Sequence, residues 1–121
     1  MPRDQQHIIL IQDDHYLVAS RKAILEKFGY SVEVVESVMD ARKRAHQFEC
    51  DLVIVDAHKA HDTALELCDE IKQNNPKLNV ALMTGYHVYL RTDCPDEIIR
   101  QDEGPEGFIR KVNDLLSPTT V

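Results

Sequence analysis

The sequence predicts a parallel α/β sheet. Two observations carry that reading. Short apolar runs rich in β-branched residues recur, as in Ile8-Ile9-Leu10-Ile11 and Leu52-Val53-Ile54-Val55. Longer stretches with apolar residues at helical spacing separate them. A near-continuous apolar run suits a strand buried on both faces, and strands alternating with helices give parallel sheets with right-handed crossovers.

The first strand is His7 to Ile11, ended by Asp13 and Asp14. Leu17, Val18, Ile24, Leu25 and Phe28 then recur at helical spacing, with Gly29 as a C-terminal stop. Val32 and Val34 alternate with polar neighbours in a second strand, and Ser37 caps a helix running to about Phe48. The third strand, Leu52 to Val55, ends at Asp56. A helix from about Thr63 to Asn74 buries Leu65, Leu67, Cys68 or Ile71 and stops before Pro76. Val80 to Met83 is the fourth strand, closed by Thr84-Gly85. Residues 85–96 fit poorly. Tyr86, Val88 and Leu90 alternate like a strand and Cys94-Pro95 breaks any helix, so the helix expected before the fifth strand, Ile98-Ile99, is shortened or missing. Gly104-Pro105 opens a last helix presenting Phe108, Val112, Leu115 and Leu116. Residues 1–116 form one domain on this reading, and 117–121 are a tail or the start of a linker.

With 121 residues the chain permits one core and leaves no room for a separate catalytic or DNA-reading domain. Apolar residues at 43% exclude a disordered chain. A net charge of −7 disfavours direct nucleic-acid binding. No apolar run is long enough to cross a bilayer, and Met1-Pro2-Arg3-Asp4 does not open a signal peptide. Cys50, Cys68 and Cys94 are odd in number and lack Cys-x-x-Cys spacing, so three free thiols in a reducing, cytoplasmic compartment are expected.

The candidate chemistry lies at the strand ends. In an open parallel sheet, ligands bind beyond the carboxyl ends of the strands. Asp13 with Asp14, Asp56 and Thr84 all follow apolar strand runs. If strands one, three and four are neighbours, these residues converge. Carboxylates about 4 Å apart repel by about 4 kcal/mol at an effective dielectric near 20. A divalent cation relieves that repulsion, and oxygen ligands suit magnesium. Isolated Asp residues also merely end strands and start turns; three at the matching ends argue for a site.

Together these residues resemble the receiver domain of bacterial two-component response regulators. The resemblance spans about Ile8 to Leu116. It is carried by Ile9-Leu10-Ile11-Gln12-Asp13-Asp14, Phe28-Gly29-Tyr30, Asp51 through Asp56, Leu65-Glu66-Leu67 and Leu82-Met83-Thr84-Gly85. It implies a flavodoxin-like open sheet in the order 2-1-3-4-5, with helices on both faces. It implies that Asp56 accepts a phosphoryl group from a histidine kinase or phosphotransfer protein, in a magnesium-dependent reaction that switches protein–protein contacts. Asp13, Asp14, Asp56 and the backbone carbonyl of His58 would hold the magnesium, and Thr84 would donate its hydroxyl to a phosphoryl oxygen. At most the domain would catalyse its own phosphorylation and slow dephosphorylation, with no turnover of small substrates. An output domain or effector protein is an expected partner, and a homodimer is among those the resemblance allows.

The sequence departs from the family where strand five normally ends in a lysine followed by proline. Gln101 occupies the lysine position and Asp102 the next; a one-residue slip would offer Arg100 instead. Ile98 takes the place of the family's aromatic switch residue. These departures favour a second reading, a pseudo-receiver that serves as an interaction or dimerisation module without regulated phosphorylation. A phosphatase with a strand-end Asp nucleophile would want a second Asp at His58. A zinc site in Asp56-Ala57-His58-Lys59-Ala60-His61-Asp62 matches no metallohydrolase spacing, and solvated loop histidines account for the segment better. Arg42-Lys43-Arg44 reads as a solvated helix face, or as a contact for an acidic partner. Tyr86, Val88, Tyr89 and Leu90 suit either an exposed apolar patch or the filling of the space left by the missing helix.

Overall fold

A computed structural model describes residues 5–12, 15–44, 48–57, 61–85 and 92–117. Five strands, β1 (His7–Ile11), β2 (Ser31–Val35), β3 (Leu52–Asp56), β4 (Asn79–Thr84) and β5 (Glu97–Arg100), form one sheet in the order β2-β1-β3-β4-β5. Every neighbouring pair is parallel. The helices are α1 (His15–Lys27), α2 (Val38–Arg44), α3 (His61–Asn74) and α4 (Gly104–Leu116), the last preceded by a 3-10 turn at Gln101–Glu103. This is the flavodoxin-like α/β architecture expected. Among the described residues between β4 and β5 there is no helix; residues 86–91, including Tyr86, Val88, Tyr89 and Leu90, lie outside them.

The strand pleat divides the core in two. Ile9, Ile11, Val53, Val55, Val80 and Leu82 face Ala64, Leu67, Cys68 and Ile71 of α3 and Ala41 of α2. Ile8, Leu10, Leu52, Ile54, Ala81, Met83 and Ile99 face Leu25 of α1 and Phe108, Val112 and Leu116 of α4. Because β3 and β4 are buried on both faces, Leu52 to Val55 and Val80 to Met83 are unbroken apolar runs.

Two expectations change. Phe28 is 53% exposed. It lies just past the end of α1, in the turn that Gly29 closes at φ +94°, and so leaves the buried stripe. Cys68 and Cys94 form a disulfide, their Cα atoms 6.4 Å apart, leaving only Cys50 free; three free thiols were expected because nothing in the spacing reveals that the segment before β5 folds back onto α3. On α2, Arg42 bonds Glu70 at 2.7 Å and Arg44 bonds Glu33 at 2.7 Å while Lys43 is exposed, in keeping with a solvated helix face.

Candidate functional site

The register of the central strands builds the site. Ile11 pairs with Val55, so Gln12 follows β1 beside Asp56, the last residue of β3. Asp56 pairs with Met83, and Ala57 N–H donates to Met83 O at 2.7 Å, which places Thr84 one step further along β4. Thr84 pairs with Arg100, the last residue of β5. The carboxyl ends of three adjacent strands therefore bring Asp56 and Thr84 to one edge of the sheet. Asp13, Asp14 and His58 lie outside the described residues.

Two side chains among the described residues donate to Asp56. Gln12 Nε2 reaches its Oδ2 at 2.8 Å, and Arg21 Nη1 reaches the same oxygen at 2.9 Å. Both charged side chains are buried, Arg21 at 9% exposure and Asp56 at 6%. Pairing is what permits this, because a buried charge without a partner is strongly unfavourable. Thr84 is fully buried.

Neither Gln12 nor Arg21 was among the expected site residues. Arg21 had a legible signal. It stands four residues after Leu17 and four before Leu25, on the stripe that α1 turns inward, and a charge there requires a partner. Gln12 had none beyond its place next to Asp13.

At the end of β5, Arg100 lies in register with Thr84, but its guanidinium turns to Asp102 at 3.3 Å and Glu103 at 3.9 Å. Gln101 opens the 3-10 turn and lines a cleft of about 160 Å³ with Arg21, Leu17, Met83 and Pro105. Both positions the sequence offered for the missing lysine, Arg100 and Gln101, line that cleft with Asp56's partner Arg21.

Metal ligation can be judged from the chemistry present. Among the described residues no three His, Cys, Asp or Glu side chains cluster as a metal site. Yet Gln12 Oε1, against Asp56, is buried with no hydrogen-bond partner among those residues. A buried carboxylate and an orphaned acceptor oxygen are a donor set that fits a hard cation such as magnesium.

Residues 8–114 match the family described as the response regulator receiver domain. Among curated proteins, the chain is 30% identical over 86 residues to the transcriptional regulatory protein ZraR of Klebsiella oxytoca, covering 71% of this chain and 19% of that protein. It is 23% identical over 109 residues to the TorCAD operon transcriptional regulatory protein TorR of Escherichia coli, covering 90% of this chain and 45% of that one. The chain thus spans a fifth to under half of these relatives' length. Among solved structures, the response regulator TrrA of Thermotoga maritima, crystallised with Mg(2+)-BeF, is 26% identical with a TM-score of 0.81 over 93% of this chain and all of that one. A receiver domain protein from Methanospirillum hungatei shares the fold at 22% identity and a TM-score of 0.77, over 92% of this chain and 93% of that one.

Proposed function

This chain belongs to the response regulator receiver domain family, and on that footing we propose that Asp56 accepts a phosphoryl group from the phosphohistidine of a sensor kinase or phosphotransfer protein. The observation that carries the reading is a buried carboxylate at the carboxyl end of the central strand β3, gripped by an arginine and an amide. A carboxylate merely ending a strand has no need of two buried donors. Phosphoryl transfer depends on holding the nucleophile and neutralising charge, and Arg21 and Gln12 hold one carboxylate oxygen fixed.

Thr84 follows the strand residue paired with Asp56, where its hydroxyl can donate to a phosphoryl oxygen. Magnesium fits the donor set. Asp13, Asp14, Asp56 and the carbonyl of His58 would hold it, and when bound it would neutralise the charge gathered there. Phosphorylation would alter the surface offered to an output domain or effector protein; curated relatives are transcriptional regulatory proteins much longer than this chain. No helix among the described residues is long and apolar enough to cross a membrane. A cytoplasmic setting follows from the kinase partner.

Amide NMR of the intact chain, titrated with magnesium and then beryllofluoride, tests the reading. Saturable shifts at Asp56 and Thr84 that vanish in Asp56→Asn are expected. No response to either ligand would sink it and leave the pseudo-receiver, an interaction module on a receiver scaffold.

A further inference from the structure

We infer that Arg21, from helix α1, is the cation of the phosphoryl site and takes the part that strand five leaves unfilled; this rests on the reading of Asp56 as phosphoacceptor. The two candidates at the end of strand five contribute less. Gln101 carries no charge, and the guanidinium of Arg100 is engaged by Asp102 and Glu103. Arg21 is already bound to the accepting carboxylate at 2.9 Å, in a setting that excludes most solvent. Low exposure strengthens a charge–charge contact and weakens its screening by salt.

The chemistry suits a guanidinium. An oxygen of Asp56 forms the new O–P bond while the P–N bond of phosphohistidine breaks; the electron pair stays on the imidazole nitrogen, which takes a proton from water. The carboxylate charge is then replaced by the larger charge of the phosphoryl group. Arg21 has five N–H donors in a planar fork, of which Nη1 now serves Asp56. The others can reach a phosphoryl oxygen without the helix moving far.

The test is beryllofluoride affinity in the presence of magnesium, followed by amide shifts on the full chain, with urea unfolding as the check on folding. Arg21→Gln should weaken beryllofluoride binding by about tenfold to a hundredfold. Because Gln101 lines the same cleft as Arg21, the double variant Arg21→Gln/Gln101→Lys should restore affinity to within about threefold of wild type. A purely structural role for Arg21 predicts no such rescue. Folded Arg21→Gln that binds within about twofold of wild type would overturn the inference, as would failure of the double variant to recover. Should Arg21→Gln not fold, Gln101→Lys alone decides. A gain below about threefold means the site already has its cation, and a gain of about tenfold means it does not. Wild type that ignores beryllofluoride defeats the Asp56 reading itself, and this inference with it; failure of this inference alone leaves wild-type binding intact.

Discussion

Lys72 Nζ lies 2.6 Å from Asp96 Oδ2, tying helix α3 to the residue that leads into strand β5. The same carboxylate oxygen accepts Val80 N–H at 2.8 Å, and Asp96 N–H donates to Val80 O at 2.8 Å. Two residues earlier, Cys94 is joined to Cys68 of α3. Residues 94–96, leading into β5, are thus tied to α3 and β4 by an ion pair, backbone and side-chain hydrogen bonds and a disulfide.

That anchoring makes the disulfide a measurable part of stability. The two cysteines are separated by 26 residues, and closing a loop of that size typically stabilises by about 2–4 kcal/mol. Cys94→Ser should lower the urea midpoint under oxidising conditions and leave it close to that of reduced wild type when a reductant is present. Thiol titration of the denatured, unreduced protein should count one thiol, and three after reduction. In the native protein Cys50 should label slowly at pH 8, because burial pushes its thiol up to about 11. A count of three thiols without reductant would remove the disulfide.

The buried ion pair at Asp56 sets a second expectation. Arg21→Met removes the guanidinium bonded to the buried Asp56 carboxylate, and breaking such a pair costs roughly 3–5 kcal/mol. Chemical unfolding in EDTA, which removes any compensating cation, should show that loss. The double variant Arg21→Met/Asp56→Asn should regain at least half of it, because the buried carboxylate charge that Arg21 offset is then gone as well. Equal stability of Arg21→Met and wild type would show that Arg21 does not stabilise the fold through Asp56.

These two features mark the limit of legibility in the sequence. Leu52 to Val55 announced a doubly buried strand, and Asp56 after it announced the candidate acceptor, because burial and strand period are local facts. Arg21 was hidden by the habit of placing charges on the solvent face, although its spacing from Leu17 and Leu25 put it on the inner stripe. The Cys68–Cys94 pairing was not readable at all. It depends on how a crossover without a described helix packs on α3, which no local pattern encodes.

At the corner between β5 and α4, Glu103 accepts Arg100 N–H at 2.9 Å and lies 2.9 Å from Lys111 Nζ. Burial opposes the charge, but the Arg100 N–H and the Lys111 ammonium outweigh it and hold the carboxyl below its usual 4.5. A carboxyl with a depressed folded pKa stabilises fully above its unfolded value, and the benefit disappears as pH falls through the folded one. Wild type should therefore lose more stability than Glu103→Gln between pH 6 and pH 3. At neutral pH the variant should be less stable by about 1–2 kcal/mol. Parallel pH profiles for the two proteins would show that the corner holds without the charge.

The same glutamate decides what happens at Gly107, which is buried in the first turns of α4. Replacing a helical glycine by alanine ordinarily stabilises by about 1 kcal/mol, because the backbone loses less freedom on folding. Here an added Cβ would meet the Cβ of Glu103 at 2.7 Å, closer than two carbons can sit. Glu103 cannot easily withdraw. Its carboxylate is fastened to Arg100 and Lys111, and Gly104 next to it already holds a φ of +71°. Overpacking a fixed neighbour costs roughly 1–3 kcal/mol, so the clash should outweigh the helical gain. Gly107→Ala should melt a few degrees below wild type. In a Glu103→Gly background, where the opposing Cβ is gone, the same substitution should reverse sign and stabilise. A stabilising effect in both backgrounds would show that the β5–α4 corner yields, and that Glu103 is less firmly held than its contacts indicate.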